Sequence, residues 1–78
     1  MHEKVYNSLT EKQKEKYSPG FVKNVVKALT DWATQTGSLE EDEIRQIHSW
    51  VEDYLGEGGY ESKINRKDLK DMIKAFWD

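Results

Sequence analysis

The stretch Ser18-Pro19-Gly20-Phe21-Val22-Lys23-Asn24-Val25-Val26-Lys27-Ala28-Leu29-Thr30-Asp31-Trp32-Ala33-Thr34-Gln35-Thr36-Gly37 decides the fold class. Ser18 is an N-cap residue, and Pro19 takes the first helical position, where its missing N–H costs nothing. Val22, Val25, Val26, Leu29 and Ala33 recur at helical spacing, and Phe21, Ala28 and Trp32 widen that stripe. The polar arc is narrow: Lys23, Asn24, Lys27, Thr30 and Asp31. The widest apolar arc belongs to the most buried helix. Gly37 ends it as a left-handed C-cap. The pattern predicts a helix over 19–36 with Leu29 at its buried centre.

Working outward, Ser38-Leu39-Glu40-Glu41 reads as a capping box opening the next helix. Ile44, Ile47, Val51, Tyr54 and Leu55 form its stripe. His48 and Trp50 fall on opposite flanks, and Gly56 is the expected stop. The loop 57–63 leads to Asn65, a good N-cap. Leu69, Met72, Ile73 and Phe76 then share a helical face, with Trp77 beside it. Towards the N-terminus, Val5, Tyr6, Leu9, Gln13 and Tyr17 share a face. Ser8-Leu9-Thr10-Glu11 fits a further capping box. The run Glu11–Lys16 has no apolar residue and cannot dock by burial. Glycine and proline lie only at these joints, and few runs alternate with period two. The expected fold is therefore all-α: one small domain over 1–78, with helices over about 19–36, 39–55 and 65–77 and an N-terminal helical segment over about 3–17.

Composition excludes several chemistries. The chain has 78 residues and no Cys, so no disulfide, thiolate zinc site or thiol nucleophile is available. No apolar run approaches the ~20 residues that span a bilayer, and no apolar segment follows Met1 as in a secretory signal. No membrane role and a cytoplasmic location are the expectations. His2 and His48 are the only imidazoles. No hydrolase elbow or zinc-protease motif is present, and a domain this small has little room for an internal pocket of ~300 Å³. Catalysis, metal and cofactor are not expected.

Gly37-Ser38-Leu39 followed by Glu43-Ile44 resembles the end of an EF-hand calcium loop, and Ser62-Lys63-Ile64 followed by Asp68-Leu69 resembles it more weakly. A calcium site needs six to eight oxygens, several from carboxylates. The ligand positions would be Trp32, Thr34 and Thr36 in one loop, and Glu57, Gly59 and Glu61 in the other. Those sets do not suffice. A C-cap glycine, an N-cap and the first core residue of the next helix explain both matches.

Charge is uneven. The net is −3, yet residues 38–56 alone carry −5. Glu40 and Glu43 fit capping and the helix dipole. Glu41, Asp42, Glu52 and Asp53 form an outward acidic band. Three Trp and four Tyr in so short a chain are the residue types from which binding hot spots are built. The expected function is a small acidic helical binding or regulatory protein that occupies a partner protein's surface, as an inhibitor, an adaptor or a phage-type modulator of a host protein. The partner carries a basic patch, and the contacts are Glu41, Asp42, Trp50, Glu52, Asp53 and Trp77. One alternative is nucleic-acid association through Lys63, Arg66, Lys67, Lys70 and Lys74. Another is a self-associating structural subunit, a homodimer joined at its aromatic edges.

Overall fold

A computed structural model describes residues 2–61 and 63–77, except for the side chain of Glu41. Five α-helices follow in order: α1 (His2–Asn7), α2 (Glu11–Lys16), α3 (Pro19–Thr36), α4 (Ile44–Glu57) and α5 (Arg66–Trp77). A 3-10 turn over Glu41–Glu43 precedes α4, and no strand occurs among the described residues. α3 packs against α1 and α4, and α5 packs against the same two helices. The four close a ring, with α3 and α5 facing each other across the core. The short α1 thus completes the bundle by contributing the fully buried Val5.

One cluster of buried side chains fills the ring. Val22, Val25 and Leu29 come from α3, Ile47, Val51 and Leu55 from α4, and Leu69 and Met72 from α5, all fully buried. Leu29 sits at the centre as its stripe predicts. Each such side chain contributes roughly 1.5–3 kcal/mol by leaving water.

α3 has the predicted bounds. Ser18 Oγ accepts from the Phe21 N–H at 3.2 Å. Gly37 takes φ 81°, and its N–H donates to the Ala33 carbonyl. Asn65 caps α5 through a bond from the Lys67 N–H to its Oδ1 at 2.8 Å.

Three boundaries differ from expectation. The N-terminal capping box is built by Thr10 and Gln13, not by Ser8 and Glu11. Ser8 instead donates its hydroxyl to the Lys4 carbonyl at the end of α1. The Ser38 box is absent, and α4 begins at Ile44 rather than near 39. The Ser38 N–H is directed at the Thr36 hydroxyl, and Leu39 is drawn into the core before any helix starts. Finally, α4 runs through Gly56. Gly59 has φ 82°, the Gly59 N–H reaches the Gly56 carbonyl, and the Tyr60 N–H reaches the Leu55 carbonyl. That bonding is a Schellman ending with Gly59 at the left-handed position.

Candidate functional site

The sequence places two side chains of α3 and four of α4 on facing edges of those helices. On α3, Lys27 and Asp31 lie one turn apart. On α4, Trp50, Asp53, Tyr54 and Glu57 follow the i, i+3, i+4, i+7 spacing of one helical face. α3 and α4 pack together, so these six residues line one groove of about 430 Å³. The volume exceeds what so short a chain could enclose because the groove is open and lies between helices at the surface.

Its floor is aromatic and fixed. Trp50 Nε1 donates to the Ala28 carbonyl at 3.0 Å, so the indole spends its one polar atom on α3. Trp32 meets Trp50 edge to face, with centroids 5.6 Å apart and planes at 74°. Tyr54 also packs against Trp50, with centroids 5.7 Å apart and a 33° tilt. The Tyr54 hydroxyl donates to the Asp31 carboxylate. That bond, followed by burial, pushes the Tyr54 phenol above its ordinary value. The same bond holds the Asp31 side chain at the edge of the ring. Asp53 and Glu57 are exposed beside it, and Lys27 is the groove's one cation. The local field is negative over a π surface.

Such a site is suited to a cation carried on a flexible stem. An ammonium or guanidinium within about 6 Å of a Trp or Tyr ring is attracted by the ring quadrupole, by ~0.5–1 kcal/mol at exposed sites. Nearby carboxylates add charge-assisted hydrogen bonds. Among the described residues no group of three or more His, Asp or Glu side chains gathers as a potential metal site.

The structure brings together two of the six sequence-predicted contacts, Trp50 and Asp53. Glu52 lies on the other flank of α4, where its carboxylate stands 3.5 Å from His48 Nδ1. His48 Nε2 contacts the Ile64 carbonyl at 2.5 Å, tying α4 to the segment before α5. Asp42 is exposed in the 3-10 turn at the opposite end of α4. The Glu41 side chain lies outside the described residues. Trp77 is 55% exposed, the only large hydrophobic side chain so exposed among the described residues, and it lines a separate groove. Sequence reasoning passed over Asp31, Tyr54 and Glu57. By spacing alone Tyr54 falls on the core stripe of α4 and Asp31 on the polar arc of α3. The signal was the repeat of Trp50, Asp53, Tyr54 and Glu57 along one flank, which needs α3 as neighbour to become a site.

No helix among the described residues is long and apolar enough to cross a membrane. A scan against protein-family models and searches of curated proteins and of solved structures each return no match.

Proposed function

We propose that this protein is a binding module that occupies a basic surface of a partner protein, and that the α3–α4 groove receives an arginine or lysine side chain of that partner. The observation that carries the reading is the convergence of Asp31, Asp53 and Glu57 around the fixed rings of Trp50 and Tyr54. A ring already held by the Ala28 carbonyl and by Trp32 loses little freedom on binding, which favours affinity. Roles as an inhibitor, an adaptor or a modulator of another protein all use such an occupied surface.

The test is fluorescence anisotropy with two labelled peptides of equal length, one arginine-rich and one glutamate-rich. The arginine-rich peptide should bind the wild-type protein and lose most of that binding to Asp53→Lys. Equal binding of the two peptides, or indifference to the substitution, would remove the groove from the function.

A second reading draws on α5. Two of its acids are engaged by α2 and its C-cap: Asp68 accepts from Gln13 and Tyr17, and the exposed Asp71 accepts from Gln13. Lys63, Arg66, Lys67, Lys70 and Lys74 are left exposed, a stripe fit to neutralise phosphates. Mobility shift with duplex DNA and with single-stranded RNA at physiological salt separates this reading from the first. A shift abolished by Lys67→Glu with Lys70→Glu would favour it.

A further inference from the structure

We infer that the groove at the C-terminal end of α5 is an interface for a second copy of this chain. The inference uses none of the α3–α4 groove residues and stands apart from the binding proposed for that groove; it shares Lys70 and Lys74 with the second, nucleic-acid reading. One wall of this groove is the stretch before α4, with Leu39 and Glu40, continued by Ile44 at the start of α4. The other wall is α5, with Ile73 at its base and Lys70, Lys74 and Trp77 spaced one turn apart. The groove holds about 220 Å³, the scale of one large side chain.

Two features select a second copy over other occupants. The walls carry opposite charge: Lys70 and Lys74 on α5, Glu40 with the exposed Asp42 just beyond it on the facing stretch. No ion pair joins the walls among the described side chains, whose only bridges are Lys16–Asp68 and His48–Glu52. A groove for a strongly acidic or strongly basic partner would carry one sign. A two-fold axis instead lays each basic wall on the other copy's acidic wall, since an isologous interface is self-complementary. The second feature is Trp77, 55% exposed at the lip of an apolar groove. In the two-fold arrangement each indole covers Leu39 and Ile44 of the other copy. A standard interface buries about 800 Å² per partner. A protomer with 5028 Å² of surface can supply that area only if neighbouring parts of α5 and the 3-10 turn join the contact. A weak, concentration-dependent dimer is the expected form.

The test is sedimentation of the full chain at concentrations up to about 1 mM, the weak end of specific affinity. Wild type should shift from monomer to dimer across that range. Trp77→Ala should raise the dissociation constant by about thirtyfold or more, as a central aromatic does. Glu40→Lys and Lys74→Glu should each weaken the dimer by about tenfold, each change creating two like-charge encounters. An equimolar mixture of these two variants should associate more strongly than either alone. Mixing restores opposite charges only between chains, so a contact within one chain cannot produce that result. Both charge changes lie at exposed positions, and circular dichroism checks that the fold is kept. A wild type that stays monomeric throughout overturns the inference. So does a dimer insensitive to Trp77→Ala, or a mixture no stronger than its components.

Discussion

Asp68 shows how one carboxylate at the core's edge links this fold to pH. Its side chain is 14% exposed. Burial alone would raise its pKa. The Tyr17 hydroxyl at 2.5 Å, the Gln13 amide at 2.8 Å and the Lys16 ammonium at 3.6 Å outweigh burial. The carboxyl is held below its ordinary value of 3.8. A depressed folded-state pKa contributes stability above the unfolded value, and that stability is lost as pH falls through the lower folded value. Urea unfolding of wild type and Asp68→Asn should therefore differ most near neutral pH. The gap should narrow below about pH 4, and a gap constant down to about pH 2 would show that the carboxylate's charge is not what matters. Leu29 and Lys27 test a different property of single residues. Leu29 is fully buried, so Leu29→Ala should cost ~2–5 kcal/mol by chemical denaturation. Lys27 is exposed, so Lys27→Ala should cost less than ~0.5 kcal/mol. Removing the groove's one cation should also tighten an arginine-rich peptide. Equal stability losses from the two changes would contradict the observed burial of α3.

Among the elements, α2 is the exception, because nothing in it is buried. A six-residue helix is far too short to persist on its own propensity. Gln13 holds it twice over. Its Oε1 accepts from the Thr10 N–H at 3.0 Å, closing the capping box, and its Nε2 reaches Asp68 and Asp71 on α5. Gln13→Ala should therefore detach α2 while the ring of α1, α3, α4 and α5 persists. Amide exchange over residues 11–17 should accelerate, with global stability reduced by only about 1–3 kcal/mol. Uniform acceleration across α3 and α4 would mean that α2 belongs to the cooperative core. The elements also separate what a sequence displays from what it hides. The bounds of α3 were legible because Ser18, Pro19 and Gly37 each have one favourable structural use. The start of α4 was not, since Ser38-Leu39-Glu40-Glu41 satisfies a capping rule locally while the burial of Leu39 and the Thr36 hydroxyl overrule it. Its end was ambiguous for another reason. Gly56, Gly58 and Gly59 can all take a left-handed turn. The choice of Gly59 is made where Tyr60 packs edge-on to Phe21, with centroids 6.1 Å apart. The same applies to the candidate site: Trp50 and Asp53 could be read from one helix, whereas Asp31 enters only through the packing of α3 on α4.

Across the whole molecule, acids and bases are sorted onto different faces although the net charge is only −3. The α3–α4 groove is negative, and the outer face of α5 is positive because Asp68 and Asp71 are turned to α2. The field a partner meets therefore depends on the face it approaches. Screening limits its reach to roughly 10 Å at 0.1 M salt. If the groove receives a partner's cation as proposed, Asp53, exposed at the rim, acts mainly before contact, and Trp50, fixed in the floor, acts after it. Rim charges set association rates and their salt dependence, and a buried aromatic sets the lifetime of the complex. For an arginine-rich peptide, Asp53→Lys should slow association several-fold at low salt, with the difference shrinking as salt screens it. Trp50→Phe keeps an aromatic ring but loses the bond to the Ala28 carbonyl that fixes the platform. It should speed dissociation and leave the association rate within about twofold of wild type. Stopped-flow binding at several ionic strengths separates the two effects. A Trp50→Phe variant that slows association, or an Asp53→Lys variant whose effect ignores salt, would show that the groove's charge and its rings do not divide the work in this way.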